Sequence, residues 1–412
     1  MTRKNIVSFL DKTVFFLFAV FVFFLPVSNS ALEISFSLIA AVMFVRAVLA
    51  PPSFEDIKSF FSDRINLAVM VFFVCVGLSL IASGPLFNKS LRAWLFKWGE
   101  GVLLFCIVRI CLTKKRLMTL LFVLLGAAFL VCVDGLYQKA TGADFIRGFT
   151  PNLIRGVLPV KACFSHHNDF ATFLVSIFFV NFGVFYAVKK NWIKVSSLFL
   201  SALIIVNLIF TYSRGAWLAF LAVSLFLMLA APYRKVKITF FAAMFVFAAV
   251  IIFVPLLRER LFNIIQKGGD AGRFYKWTIA MNIFRDYPVF GSGVGLFMDK
   301  YAEYTVLGGY HYAHNCYIQI LAETGLAGLV TFLWFLSEII VKAFRGLLKN
   351  AGMIGIGLFS GFMSFLIYAF FDTQLYSLKL SLLFWTLAAF LVKSMEKDDI
   401  AEKTDRGPAV RL

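Results

Sequence analysis

The chain has 412 residues, of which 61% are hydrophobic and 15% are charged, and its formal net charge is +18. Its mean hydropathy of +0.87 lies far above that of soluble domains, so the composition excludes a soluble globular protein and indicates a protein of the lipid bilayer. The positive charge does not indicate nucleic-acid binding, because the chain contains no nucleic-acid motif and basic loops of membrane proteins are attracted to anionic lipid headgroups.

Apolar runs follow one another along the whole chain, each near the roughly 20 residues that span hydrocarbon. They predict an all-α, polytopic integral membrane protein with about twelve transmembrane helices, forming a single membrane domain over residues 1–412. The predicted spans are 14–27, 31–49, 66–82, 94–112, 117–136, 168–188, 194–211, 215–231, 236–256, 314–341, 351–371 and 374–393.

The short loops predict the orientation, since Lys and Arg accumulate on the cytoplasmic side of a membrane protein. Clusters of basic residues recur after every second span, at 113–116, 189–194, 234–237 and 342–349. One side of the membrane accommodates all of them together with both chain ends. We therefore predict that the N-terminus and the tail at 394–412 are cytoplasmic.

This topology sends two longer loops, 137–167 and 257–313, to the outer side. Both are rich in cations: Arg147, Arg155, Lys161, Arg258, Arg260, Lys267, Arg273, Lys276, Arg285 and Lys300. Long loops cross the membrane largely regardless of charge, which leaves an incidental origin open. As a set, however, these cations favour an anionic ligand, because Arg and Lys are the side chains that hold phosphate groups. The second loop also contains a predicted helix at about 270–286, ended by Tyr287-Pro288.

All four histidines, His166, His167, His311 and His314, are predicted at the outer face. His314 begins a span beside Asn315, which favours a general base that takes a proton from a hydroxyl group. An incidental imidazole near a helix start is the alternative. Asn168 or Asp169 is expected to cap the helix of an earlier span, with His167 bordering a binding cleft.

Two further ionisable residues stand at or within predicted spans. Arg214 occupies the turn between two spans, where it could extend to lipid headgroups or, with Arg273 and Lys276, hold a pyrophosphate group. Glu323 lies two to three turns below His314, and it could orient a partner or hydrogen-bond a neighbouring helix.

Metal and cofactor signals are missing from the sequence. No His/Cys spacing resembles a zinc site and no carboxylate cluster resembles a magnesium site, so we expect neither a metal nor a cofactor. Cys163 and Cys316, both predicted on the outer side, could pair, but their spacing does not decide it. The glycines of residues 289–296 lack the dinucleotide-binding pattern and are expected to allow a tight turn or to offer amides to a ligand.

Four elements occur in a characteristic order and spacing: Tyr212-Ser213-Arg214-Gly215, Arg273-x-x-x-Trp277, Tyr287-Pro288-x-x-Gly291-x-Gly293, and His314-Asn315-x-Tyr317 through Glu323-x-Gly325. Together with the span pattern over most of the chain, they resemble the O-antigen ligase and polymerase-like superfamily of bacterial membrane glycosyltransferases. The resemblance implies a GT-C-like, all-helical enzyme of the bacterial inner membrane, with a site that faces the periplasm.

The resemblance also implies a metal-independent transfer of glycan from undecaprenyl pyrophosphate. In an O-antigen ligase the acceptor is a sugar hydroxyl of the lipid A core during lipopolysaccharide assembly; in a polymerase it is another lipid-linked repeat unit. By this likeness His314 is catalytic and activates the acceptor. The pyrophosphate ligands are Arg214 and Arg273, joined by Lys276, and further candidates for supporting roles are Glu323, His167, Asn315 and Arg285.

The ligase is the preferred interpretation, because one dominant outer loop lies near the C-terminal third of the chain. The loop at 137–167 keeps the polymerase open, since polymerases often divide their function between two substantial outer loops. A transporter or flippase of anionic lipid-linked sugars is the third alternative. It would need a polar path across the bilayer, and the predicted intramembrane carboxylates are scattered over different spans.

Overall fold

The structure is a computed structural model that describes residues 3–154, 156–255, 257–259, 271–306, 308–348 and 352–396. Three of the loop cations named above, Arg155, Arg260 and Lys267, lie outside these residues, as does most of the predicted tail, residues 397–412.

Helices make up 80% of the described chain. The first eight are α1 (Arg3–Phe24), α2 (Asn29–Leu49), α3 (Phe54–Ser62), α4 (Arg64–Leu78), α5 (Phe87–Ala93), α6 (Glu100–Cys111), α7 (Lys114–Thr141) and α8 (His167–Ala187). The next eight are α9 (Asn191–Phe210), α10 (Arg214–Ala230), α11 (Arg234–Phe253), α12 (Ala271–Asp286), α13 (Phe297–Tyr304), α14 (Cys316–Leu348), α15 (Met353–Tyr368) and α16 (Leu378–Ser394). A π-helical turn, Trp94–Gly99, joins α5 to α6.

The predicted fold class, an all-α polytopic membrane protein, is confirmed. Within the described residues, 8 helices are long and apolar enough to cross a membrane, and α10 and α15 are shorter apolar helices. The two other predicted spans coincide with the interrupted helix through Trp94–Gly99 and α6, and with α16. The predicted loop helix is present as α12.

Helix α8 forms the centre of the bundle, because 83% of its most apolar 18-residue stretch is buried. It packs closely on α15, where a Cβ on Gly183 would lie 2.8 Å from the Cα of Gly357. Small residues at such a crossing let two backbones approach and gain van der Waals contact in the membrane. The close crossing therefore holds the last turns of α8 against the first turns of α15.

One end of the bundle holds a network of charged side chains. Arg109 donates to Asp63 at 3.0 Å and to Glu396 at 2.6 Å, while Lys393 pairs with Glu396 at 2.6 Å. Lys342 lies 3.7 Å from Asp63. Side chains from α4, α6, α14 and α16 thus meet at this end, which is the one predicted to be cytoplasmic.

At the opposite end, buried polar side chains hold the loop between α7 and α8. The Gln138 amide donates to the Phe149 carbonyl at 2.8 Å, and its oxygen accepts from the Lys161 and Ala162 amides. Lys379 of α16 donates to the Pro26, Val27 and Cys163 carbonyls at 2.9 to 3.1 Å, which satisfies its three N–H donors. These bonds fix the chain that leads into α8.

Candidate functional site

His314 lies in the connection that precedes α14, immediately outside the helix. The side-chain oxygen of Asn315 accepts hydrogen bonds from the Tyr317 and Ile318 amides at 3.0 and 3.1 Å, so Asn315 is the N-cap of α14. The Gln319 side chain accepts from the Ala313 amide at 3.1 Å. His314 itself has a φ of 53°, uncommon for a residue with a Cβ. These bonds therefore hold the backbone on both sides of His314.

The imidazole belongs to a chain of hydrogen bonds that joins four elements. His314 Nδ1 lies 2.8 Å from Oδ1 of Asp372, and Asp372 Oδ2 accepts from the Asn168 amide at 2.7 Å. The Asn168 oxygen accepts from the Ser213 hydroxyl at 3.0 Å, which lies 2.6 Å from the Tyr368 hydroxyl. We call these five residues the His314 network. It links the starts of α8, α10 and α14 to the end of α15.

Asp372 is ionised within this network. Burial would raise the pKa of its carboxyl group, but the hydrogen bond and charge of His314, the Thr373 amide and the charge of His166 lower that pKa to about 2. An ionised carboxylate can only accept hydrogen bonds. In the neutral form of His314 the proton between the two residues is therefore on Nδ1, and Nε2 carries the lone pair.

The helix α12 brings cations to the network. Trp277 donates from its indole nitrogen to the Ala313 carbonyl at 3.0 Å, which ties α12 to the residue before His314. Arg273 stands one turn earlier on the same face of α12, partly buried and within electrostatic range of Tyr368. Burial and the charge of Arg273 lower the pKa of Lys276, and the nearby carboxylate of Asp372 raises it. The structure thus brings both predicted cations towards His314.

Arg214 is the first residue of α10 and follows Ser213 of the network directly. Its side chain is partly buried. A Cβ on the next residue, Gly215, would overlap the Tyr368 ring, so α10 packs tightly on the end of α15 at this point. This packing fixes the backbone of Arg214 beside the network.

Glu323 is 1% exposed, and its carboxylate is used within the protein. Its Oε2 atom accepts from the Gly295 amide at 2.8 Å and from the Tyr376 hydroxyl at 2.9 Å. Its Oε1 atom accepts from the Gln319 side chain at 3.2 Å and from the Phe297 amide at 3.3 Å. The sequence left open whether Glu323 orients a partner or hydrogen-bonds a neighbouring segment, and these contacts favour the second role. The Gly295 amide donates to Glu323 and not to a ligand.

Gly291 and Gly325, two of the motif glycines, explain a break in α14. Gly325 has φ 64° and ψ −166° inside that helix, and the segment after α12 inserts there, with the Pro288 carbonyl accepting from the Leu326 amide at 2.9 Å. A Cβ on Gly291 would overlap the backbone of Glu323, and one on Gly325 would overlap the Val289 carbonyl. The tight turn predicted for these glycines is therefore present as an interlock between two chain segments.

The other histidines gather near His314. His166, not Asn168 or Asp169, is the N-cap of α8, because its Nδ1 accepts from the Asn168 amide at 3.2 Å; that capping prediction is wrong, since the Asn168 side chain serves Asp372. The buried His167 ring lies 4.2 Å from the His166 ring. Burial and the charges of Lys276 and His314 lower the pKa of His311, which places it in the same electrostatic environment.

Two predicted features, a supporting role of Arg285 and a pair between Cys163 and Cys316, are not found in this cluster. Arg285 is exposed near the other end of α12 from Arg273, roughly 18 Å along the helix axis, which does not fit a supporting role beside His314. Cys163 and Cys316 are both free; Cys163 donates to the Pro26 carbonyl and Cys316 to the Asp372 carbonyl. Within the described ranges, no group of three His, Cys, Asp or Glu side chains is arranged to hold a metal ion.

The sequence analysis did not identify Asp372 or Tyr368 as site residues, and it named Asn168 only as a possible cap. Asp372 stands in the short connection after α15, in Phe371-Asp372-Thr373, where an apolar run is interrupted by a carboxylate. Since ionisable residues at membrane depth are costly, this interruption is a signal that could have identified Asp372. Asn168 carries no comparable signal, because an amide at a helix start is ordinary.

Comparison with known proteins agrees with the motifs. Residues 199–333 match the family model described as O-antigen ligase, and this segment includes Arg214, Arg273 and His314. Teichuronic acid biosynthesis protein TuaE of Bacillus subtilis (strain 168) is 27% identical over 225 residues, which cover 50% of this chain and 46% of the relative. The chain thus spans about half the length of the curated relative it matches. The match over residues 199–333 agrees with the family resemblance predicted from the motifs, which is confirmed.

Proposed function

We propose that this protein is a membrane glycosyltransferase of the O-antigen ligase type, which transfers glycan from undecaprenyl pyrophosphate to a sugar hydroxyl of the lipid A core without a metal. The observation that carries the proposal is the pairing of His314 with the ionised Asp372, next to Arg214, Arg273 and Lys276. A base beside a group of cations suits a reaction in which a hydroxyl attacks and a pyrophosphate leaves.

His314 is the proposed general base. Its Nδ1–H donates to Asp372, so Nε2 accepts the proton of the acceptor hydroxyl as that oxygen attacks the anomeric carbon. Asp372 then stabilises the positive charge that develops on the imidazole, and it holds the ring in the required tautomer. Asn168 and the Thr373 amide orient Asp372 in turn, at 2.7 and 2.9 Å.

Arg214, Arg273 and Lys276 are the proposed ligands of the donor. The bond from the anomeric carbon to the phosphate oxygen breaks as the acceptor bond forms, and the undecaprenyl pyrophosphate leaves with its negative charge. Positioned cations stabilise a charge that grows in the transition state. Partial burial of these side chains strengthens the attraction, because water screens it less than at a fully exposed surface.

The location follows from the same proposal. The chain is a multi-pass membrane protein, and we propose the bacterial inner membrane, with the His314 network facing the periplasm and both termini in the cytoplasm. The basic clusters of the short loops support this orientation. The Asp63 and Arg109 network then lies at the cytoplasmic end. In this arrangement the loops 137–167 and 257–313 are periplasmic, and the chain forms one membrane domain.

A polymerase that joins lipid-linked repeat units is the second candidate. The relative TuaE is named for the biosynthesis of teichuronic acid, not of lipopolysaccharide, and this name favours a polymer-forming role. Both candidates use the same donor chemistry and the same base. They differ in the molecule that supplies the attacking hydroxyl.

The test is glycan transfer by the purified full-length protein in liposomes, with an undecaprenyl-pyrophosphate-linked glycan, a lipid A core acceptor and no divalent metal. Mass spectrometry of the products separates the candidates: glycan on the core supports the ligase, and lengthened lipid-linked glycan supports the polymerase. His314→Ala and Arg214→Ala should abolish either product, while Arg285→Ala serves as a matched cation control. Intact donor with the wild type would contradict both candidates and favour a transporter.

A further inference from the structure

A groove between α7, α8 and α9 lies away from the His314 network and has no role in the proposed reaction. Its volume is about 760 Å³, and its lips are formed by Phe122 and Phe129 of α7 and by Trp192 and Phe199 of α9. These four aromatic side chains are 38 to 67% exposed, so the groove opens out of the bundle. Leu200, the last α9 residue of the lining along the chain, is roughly 15 Å of helix from Phe210, where α9 approaches the network.

The lining of the groove is chemically apolar, although it contains polar residues. The Asn181 amide donates to the Ser197 carbonyl at 2.8 Å and to the Ser201 hydroxyl at 2.9 Å. The Ser197 hydroxyl donates to the Asn181 oxygen at 2.8 Å, and the Ser196 hydroxyl donates to the Trp192 carbonyl at 3.0 Å. Since these groups satisfy one another, what remains for an occupant is hydrocarbon surface. That surface fits an acyl chain.

The mouth of the groove is basic. Lys189 and Lys190 connect α8 to α9 and precede Trp192, and Lys194 follows it by two residues. Lys189 and Lys190 are exposed, and none of the three lysines forms an ion pair with the carboxylates of the described chain. An exposed Trp beside lysines is typical of the membrane–water interface, and basic pockets between transmembrane helices bind anionic lipid headgroups. The mouth thus offers positive charge at the depth of a lipid headgroup.

Gly126 gives the groove its width. It lies in the lining on α7, and a Cβ at this position would meet no atom within 4 Å. Any larger residue here would occupy the groove without displacing protein atoms. This makes Gly126 a position at which the occupant can be excluded while the helix bundle stays unchanged.

We propose that this groove is a binding site for an anionic phospholipid, with one acyl chain along Gly126 and the headgroup at Lys189, Lys190 and Lys194. The lysines favour this occupant over the prenyl chain of the proposed donor, because the pyrophosphate of that donor would lie at the Arg214 and Arg273 end of the bundle. The proposal is independent of the enzymatic activity.

The experiment is native mass spectrometry of the full-length protein extracted from vesicles of equal phosphatidylglycerol and phosphatidylethanolamine. We expect phosphatidylglycerol to be retained with roughly tenfold preference. Gly126→Phe should abolish retention of either lipid, whereas Gly346→Phe, at another open helical glycine, should leave it unchanged. Lys190→Gln combined with Lys194→Gln should remove the preference while some lipid is still retained.

Thermal unfolding of the same variants shows whether Gly126→Phe is folded. Equal retention of the two lipids by the wild type, or unchanged retention by a folded Gly126→Phe variant, would overturn the proposal. Displacement of phosphatidylglycerol by undecaprenyl phosphate added at a stoichiometric amount would also overturn it, because the groove would then belong to the donor chain.

Discussion

His314 and Asp372 are 58 residues apart in the chain, and their side chains meet at 2.8 Å between Nδ1 and Oδ1. Two helices separate them, α14 and α15, and the Cys316 amide donates to the Ala369 carbonyl at 2.9 Å where the two segments touch. The position of the proposed base is therefore set by the connection after α15 as much as by α14. This relationship makes Asp372 the residue whose removal tests the site most directly.

Replacing the Asp372 carboxylate by an amide should disable His314 without removing it. In Asp372→Asn the imidazole loses its ionised acceptor, so its tautomer is no longer fixed and its developing charge is not stabilised. We expect the rate of glycan transfer to fall by about 100-fold or more, with little change in donor binding. Single-turnover rates measure this. Asp299→Asn, which breaks an ion pair with Lys89 at 2.7 Å, is the matched control and should retain activity.

The low pKa of Asp372 predicts a specific dependence of stability on pH. The pKa of about 2 in the folded protein lies below the ordinary Asp value of 3.8. The carboxylate therefore contributes stability that is fully present above about pH 4 and is lost as the pH falls towards 2. The difference in thermal midpoint between wild type and Asp372→Asn should thus shrink as the pH falls from about 4 towards 2. A difference that stays the same over this acid range would contradict the assignment.

Arg273 and Arg285 provide a matched pair on one helix. Arg273 faces the His314 network, whereas Arg285 is exposed near the other end of α12 and contacts Asn282 at 3.4 Å. Arg273→Ala should weaken donor binding or transfer by roughly 10- to 100-fold, the range for one lost charge-assisted hydrogen bond. Arg285→Ala should have no effect. Equal losses in the two variants would show that α12 acts through its general charge and not through a specific contact.

The sequence predicted the membrane class, the helices and the group of Arg214, Arg273 and His314, because hydropathy and motif spacing are local properties of the chain. It did not predict Asp372 and Asn168 as partners of His314, since their contact depends on how α8 and α15 cross. Trp277 and Pro288 were recognised as motif residues, but their roles required the tertiary contacts with Ala313 and Leu326. Sequence alone thus predicted the helices and the motif residues better than it predicted the tertiary contacts that hold them in place.

Replacing Glu323 and replacing Asp372 should have different effects on stability and activity, because their carboxylates have different proposed roles. Glu323→Gln replaces one accepting oxygen by an N–H donor, which would face the Gly295 amide or another of its present donors. A mismatched buried group costs about 1–3 kcal/mol, so we expect a lower thermal midpoint together with a loss of activity. Asp372→Asn should instead lose far more activity than stability. A Glu323→Gln variant with normal stability and no transfer would assign Glu323 to the chemistry.

The glycine interlock predicts where a single methyl group is not tolerated. Gly325→Ala introduces a Cβ at a positive φ and against the Val289 carbonyl, and Gly291→Ala does the same against Glu323. A backbone conformation of this kind costs an L-residue about 1–3 kcal/mol, and the overlap adds to it. Both variants should unfold at lower temperature in a fluorescence melting assay. Gly346→Ala, in an open position of the same helix, should be neutral or stabilising by up to about 1 kcal/mol; an equal loss there would mean that α14 is sensitive everywhere and that the interlock has no special role.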